Sequence, residues 1–224
     1  MLQDIVGSAG GVAVTGGICR FGSRTEEIMC GIVGYNGARP VTDFLLDALE
    51  LLEYRGYDSA GLATINAETG RTKLRKCAGR VADLRKVCEN DKKQATCGIG
   101  HTRWATHGGV SDENAHPHRQ GNVLLVHNGI VENYEELRDH FMLSKDLKSE
   151  TDTEVVAGVL NRYYDGDPHK AIAQTVKHLK GTFALVIIFD DIPDVIYAIR
   201  NVSPIVAART EDGTMLASDV AALG

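Results

Sequence analysis

The chain has 224 residues, of which 43% are hydrophobic and 24% charged, and a formal net charge of −6. This is ordinary for a globular protein and ample for a sizeable core. No basic run resembles a nucleic-acid footprint, and no apolar run approaches the roughly 18–20 residues of a membrane span, so neither partner is expected.

The five cysteines (Cys19, Cys30, Cys77, Cys88, Cys97) are odd in number and form no CxxC pair. That suits a reducing, cytoplasmic setting better than a disulfide framework. Five of the eight histidines fall between His101 and His127.

Residues 1–28 are rich in glycine and serine, without the basic and apolar regions of a signal peptide. They are expected to pack weakly. They read as a propeptide, an artificial extension or, preferentially, translation from a start upstream of the true one. Domain bounds follow at 1–29 for the extension and 30–224 for the folded unit.

Gly31–Gly37 predicts a buried strand. Pro40 opens a helix in which Val41, Phe44, Leu45, Ala48, Leu49 and Leu52 share one face. Strands are expected at 61–65, 71–76 and 96–102, and a short helix at 81–88. A short strand at 123–126 precedes a helix at 133–142. Thr151-Asp152-Thr153-Glu154 is a capping-box pattern opening a helix through Tyr163. Pro168 opens another, and strand-like runs follow at 182–189, 195–199, 205–208 and 215–217. Helices clustered between hairpin-linked strands predict a layered α+β domain. Ser218-Asp219 reads as the N-cap of a helix with only its first turn present. A helix of one turn does not offset its nucleation cost, so a longer natural protein is expected.

Met29-Cys30-Gly31 has the form of a displaced protein start. With Met29 removed, Cys30 carries a thiol and a free α-amine on one carbon. The amine, with a reference pKa of about 7.7–8.0, is then the thiol's own base. On this tripeptide alone, a small buried cysteine is the simpler reading. Arg103 offers a bidentate fork for a carboxylate, beside the only tryptophan, Trp104. Asn128 and Gly129 are donors of the type an oxyanion hole needs, although an Asn-Gly pair is more often a turn. Asp152 caps a helix or holds an ammonium group. Arg55 and Asp58 brace a turn or wall a site. A metal site among His101, His107, His116, His118 and His127 is not expected, because the spacings match no standard zinc pattern. Together these residues suit an α-amino acid bearing an acyl group open to attack, which describes glutamine.

Six segments carry a resemblance. They are Cys30–Gly34, the run 52–61 (LEYRGYDSAG), 101–108 (HTRWATHG), 114–118 (NAHPH), 127–133 (HNGIVEN) and 149–154 (SETDTE). In this order they closely resemble the glutaminase domains of the glutamine–fructose-6-phosphate aminotransferases (isomerizing), or glucosamine-6-phosphate synthases, among the class II amidotransferases. The resemblance runs from Cys30 to the C-terminus.

It implies the four-layer αββα N-terminal-nucleophile fold, with Cys30 attacking the glutamine amide and Asn128 and Gly129 stabilising the oxyanion. It implies Arg103 on the substrate carboxylate and Asp152 on its ammonium. Trp104, Thr106 and His107 would line the pocket, with Arg55 and His116 in support. It requires no cofactor and no metal. It also implies downstream sugar-isomerase domains that bind fructose 6-phosphate and use the ammonia. Dimer contacts in the family lie largely there, so this chain is expected to be a monomer or weak dimer and the full-length parent a homodimer. The residues 1–29 depart from the pattern, since they leave an amide where the base should be. Two alternatives stay open at this point: the glutaminase domain of another class II amidotransferase, and an inactive glutamine-sensing module.

Overall fold

A computed structural model describes residues 30–66, 68–91, 95–105 and 108–223, and the backbone of Val12–Thr15. Among the described residues, eleven strands form two sheets. The first, in spatial order, holds β10 (Val206–Thr210), β11 (Gly213–Ala217), β2 (Gly31–Gly37), β5 (Cys97–Arg103), β3 (Ser59–Ile65) and β4 (Thr72–Ala78). The second holds β1 (Val12–Thr15), β9 (Ile192–Asn201), β8 (Gly181–Phe189), β7 (Val123–Val131) and β6 (His118–Gln120). All pairings are antiparallel except β1 with β9, which is parallel.

Three apolar layers explain why the sheets stack. Alternation along each strand sends successive side chains to opposite faces. Ile32, Ala63, Ile65 and Ile99 of the first sheet meet Leu124, Val126, Val186, Ile188 and Ile196 of the second in a dry central layer. On the outer face of the first sheet, Val33, Tyr35 and Leu62 pack against α1 (Val41–Glu50) and α2 (Val81–Cys88). On the outer face of the second, Val123, Leu125 and Leu185 pack against α4 (Asp152–Tyr163) and α5 (Pro168–Val176). A further helix, α3 (Tyr134–His140), lies against α4. Each fully buried Leu, Ile or Val contributes about 1.5–3 kcal/mol, so both sheet faces are held strongly. The order is helices, sheet, sheet, helices: the four-layer αββα sandwich.

Several local expectations change. The strand expected at 123–126 runs on to Val131, so Asn128-Gly129 lies inside β7, paired with Ala184 and Phe183, and is not a turn. The capping box at α4 is half formed. The Thr151 hydroxyl accepts from the Glu154 amide at 3.2 Å, but the Glu154 carboxylate turns away to the amides of Lys148 and Ser149 and to Gln120. Asn114–His118, expected as a polar loop, is buried throughout, and β6 begins at its end. The terminal turn is a 3-10 helix, Val220–Leu223, with Asp219 accepting from the Ala221 amide. Within the proposed extension, Val12–Thr15 pairs in parallel with β9 as an edge strand. The remainder of the proposed extension, residues 1–11 and 16–29, lies outside the described residues.

Candidate active site

The site lies where the central layer turns from apolar to polar. Along β5 the residues sharing one face are Cys97, Ile99, His101 and Arg103, and along β7 they are Leu124, Val126 and Asn128. The same alternation that builds the core therefore delivers His101, Arg103 and Asn128 to one end of it.

Cys30 stands immediately before β2. Gly31 pairs with Thr102 and Ile32 with His101, so the register brings Cys30 beside the Arg103 end of β5. The approach is close: a Cβ at Gly31 would come within 2.6 Å of the Thr102 hydroxyl and 2.8 Å of the Leu52 Cβ. Glycine lets the Gly31 amide donate to Thr102 Oγ1 at 3.1 Å. The next amide, of Ile32, donates to Ser218 Oγ at 3.0 Å. The thiol itself is half-buried. Its Sγ accepts the Trp104 amide at 3.0 Å and faces the Trp104 carbonyl at 3.5 Å. Burial is the largest influence and raises the thiol pKa; the Trp104 amide opposes it, Asp58 adds to it, and Arg103 opposes it. A thiol held protonated in this way needs a base to become a nucleophile.

Asn128 faces Cys30 from the other sheet. Its Nδ2 donates to the Cys30 carbonyl at 2.8 Å, and its Oδ1 lies 3.0 Å from His101 Nε2. The next residue, Gly129, has φ 123°, and a Cβ there would lie 2.1 Å from the Thr182 carbonyl oxygen. Only glycine fits this strand position.

Arg103 is buried, 3% exposed. Its guanidinium donates to the Gly109 carbonyl at 3.1 Å and the Gly108 carbonyl at 3.4 Å, and lies 3.8 Å from Asp58 Oδ1. Asp58 is the residue that sequence reasoning undervalued. Its carboxylate accepts the Ala105 amide and the Ser59 hydroxyl, and its own amide donates to the Arg103 carbonyl at 2.7 Å. It thus ties both ends of the Arg103–Ala105 turn. An aspartate followed by a strand start was the available signal, but nothing in spacing points from 58 to 105.

Asp152, at the start of α4, is buried and accepts the Val131 amide at 2.9 Å through Oδ2. Thr153 Oγ1 donates to its Oδ1 at 3.2 Å, and His127 Nδ1 sits 3.1 Å from that hydroxyl. Asp152 thereby locks α4 onto the end of β7, three residues after Asn128. A carboxylate has about four acceptor positions, which leaves capacity for a ligand donor.

Arg55 makes its ion pair with Asp219, at 2.8 Å, joining the turn before β3 to the end of the chain. Trp104, whose amide meets the Cys30 thiol, is 47% exposed. His116 is buried with its ring 4.2 Å from that of His101. Thr106 and His107, both expected in the pocket, lie outside the described residues. Among the described residues no group of three His, Cys, Asp or Glu is arranged to hold a metal ion.

A family profile described as the glutamine amidotransferase domain matches residues 101–224. The chain belongs to the glutamine amidotransferase domain family. It is 44% identical over 199 residues to the glutamine–fructose-6-phosphate aminotransferase (isomerizing) of Clostridium acetobutylicum, covering 87% of this chain and 32% of that protein. It is 48% identical to the enzyme of the same name from Symbiobacterium thermophilum, with 87% and 32% covered, and 46% identical to that from Aquifex aeolicus, with 87% and 33% covered. The chain therefore spans about a third of the length of these relatives.

Among solved structures, it is similar to glutamine phosphoribosylpyrophosphate amidotransferase from B. subtilis, with TM-score 0.74, 24% identity, 87% of this chain and 43% of that one covered. A structure described as the allosteric regulatory enzyme of purine biosynthesis gives TM-score 0.75 at 25% identity, with 87% and 43% covered. These likenesses support the sandwich fold of the amidotransferases. The relatives' names favour the aminotransferase branch over the purine-pathway alternative.

Proposed function

We propose that the domain, once it begins at Cys30, hydrolyses L-glutamine to L-glutamate and ammonia. The observation that carries this reading is the meeting of Cys30, Arg103 and Asn128 at one polar end of the central layer, with Asn128 Nδ2 2.8 Å from the Cys30 carbonyl.

The free α-amine of Cys30 takes the thiol proton, directly or through a water. Sγ attacks the side-chain carbonyl carbon of glutamine. Negative charge grows on the carboxamide oxygen, where the second N–H of Asn128 Nδ2 and the Gly129 amide stabilise it. The C–N bond breaks, the proton returns to nitrogen and ammonia leaves. Water then cleaves the thioester, releasing glutamate and the thiol. Arg103 takes the substrate α-carboxylate and Asp152 its ammonium, so glutamine is held at both charged ends. Trp104, exposed beside Cys30, would lie near the ammonia exit, and Thr106 and His107 would line the pocket. Arg55 and His116 act in support, through Asp219 and His101 respectively.

In a longer parent, the ammonia would pass to downstream sugar-isomerase domains and convert fructose 6-phosphate to glucosamine 6-phosphate in the cytoplasm. The parent would be a homodimer, and this domain alone a monomer or weak dimer. The names of the relatives and the third of their length that is matched support this assignment.

The test is a glutaminase assay of protein beginning at Cys30, beside its Cys30→Ala variant. The variant is expected to lose activity by more than about 10⁴-fold while still binding glutamine. A variant that retains activity would overturn the mechanism. A correctly trimmed wild type that binds glutamine without hydrolysing it would favour the sensing module.

A further inference from the structure

His101 stands on β5 of one sheet and Asn128 on β7 of the other, and one hydrogen-bonding atom joins them across the sandwich. His101 is fully buried, and its Nε2 lies 3.0 Å from Asn128 Oδ1 and 3.0 Å from the His127 carbonyl oxygen. On its far side the Asn128 carboxamide meets a second backbone carbonyl, that of Cys30.

Two backbone carbonyls, which can only accept, decide the protonation pattern. The His127 oxygen requires Nε2 to be the protonated nitrogen of His101. The Cys30 oxygen requires the Asn128 edge facing it to be Nδ2. Oδ1 must then face His101, and the Nε2–H is shared between two acceptors. The flipped amide would set Oδ1 against the Cys30 oxygen, and the other tautomer would set a lone pair against the His127 oxygen. Either arrangement leaves buried acceptors facing each other, with the desolvation cost of a buried group left unpaired. Among the described residues no hydrogen-bond partner reaches His101 Nδ1. The ring of His116 lies 4.2 Å from that of His101, tilted by 36°.

We propose that His101, as the neutral Nε2–H tautomer, is a positioning residue that holds the Asn128 carboxamide with Nδ2 turned toward Cys30 and the substrate's acyl oxygen. This rests on the glutaminase reading above. It assigns His101 a role distinct from metal binding and from the substrate contacts of Arg103 and Asp152. An oxyanion donor is effective only when its dipole is already aimed before charge develops. A freely rotating Asn128 amide would present oxygen half the time. His101 removes that freedom with an uncharged donor. Burial drives its pKa down to about 3, so the donor survives across the working pH range without placing a cation beside the site.

The test compares His101→Leu with His101→Gln in protein beginning at Cys30. The glutamine Nε2 can occupy the place of the imidazole Nε2 and donate in its stead. His101→Leu is expected to lower kcat by about 10- to 100-fold, less than loss of an oxyanion donor itself, with KM for glutamine within about twofold. His101→Gln is expected to recover most of the loss. Unchanged kcat in His101→Leu would overturn the proposal, as would a His101→Gln variant that is folded yet equally impaired.

Nitrogen-15 NMR of the His101 ring in the unsubstituted protein provides a readout independent of folding in the variants. The Nε2–H form is expected throughout pH 5–8. A protonated Nδ1 in an active enzyme would contradict the His101 proposal alone. An Nε2–H ring in a wild type without glutaminase activity would contradict the proposed function, and with it the positioning role of His101.

Discussion

The two sheets contribute to the cleft in different ways. The first supplies strand ends: Cys30 just before β2 and Arg103 at the last position of β5. The second supplies strand interior: Asn128 and Gly129 are flanked within β7 by His127 and Ile130, and all four pair with β8. Strand ends can release the chain into turns, where the proposed reaction would need its free amine and its carboxylate-binding arginine. Oxyanion donors need fixed direction, and a hydrogen-bonded strand interior provides it. The residue before β2 is half-buried, whereas Asn128 is 1% exposed. One half of the site is shaped for access and the other for rigidity.

This contrast predicts that damage to the β7 half affects fold and rate together, whereas damage to the β5 end affects binding. The largest effect is expected at Gly129→Ala. The added Cβ meets the Thr182 carbonyl oxygen at 2.1 Å with φ at 123°, so β7 must shift away from β8. A loss on the order of 3 kcal/mol, read as a lower urea midpoint, should accompany loss of glutaminase activity. An unchanged midpoint would break the comparison.

Next is Arg103→Lys, which keeps the charge but removes the fork. KM for glutamine should rise by about 10- to 100-fold, with kcat falling less. A fall in kcat at constant KM would place Arg103 in the chemistry and not in binding.

A third expected effect, spread over several residues, is a stability slope in acid. Burial pushes His101 down to about 3, and burial also holds His116 and His118 well below 6.5. The unfolded chain therefore binds more protons than the folded one below pH 6.5. The histidine contribution is complete above that pH and is lost as the pH falls below it. Each histidine adds a slope of up to about 1.4 kcal/mol per pH unit. Urea unfolding between pH 7 and 4.5 should show the decline, and His118→Gln should flatten it. A flat profile in the wild type would show that these rings are solvated.

Much of this was legible in the chain because apolar periodicity and local motifs report local structure. The helices at 41–50, 81–88 and 152–163 announce themselves through one apolar face, a bounding proline or a capping threonine. The proposal of Cys30 as nucleophile rests on Met29-Cys30-Gly31 together with the longer motifs. What stayed hidden depends on contacts between distant segments. Asn128-Gly129 has the composition of a hairpin turn, and only pairing with Ala184 and Phe183 keeps it extended. Asp58 acts on Ala105 across a sheet edge, and Arg55 finds Asp219 at the end of the chain. His101 joins Asn128 between sheets, a relation no spacing within one strand encodes. The clustered histidines match no standard zinc spacing, and their use was not legible in the chain. Three of them pair with carbonyl, amide and hydroxyl groups of the core.

The central claim is that Cys30 acts with its own α-amine as base. The direct measurement is glutaminase activity, with intact mass recorded on the same samples, for protein beginning at Cys30 and for the 224-residue chain that retains residues 1–29. The account predicts activity in the first and its loss in the second, because an amide nitrogen cannot accept the thiol proton. Equal activity in a sample whose mass proves that residues 1–29 are still attached would contradict it.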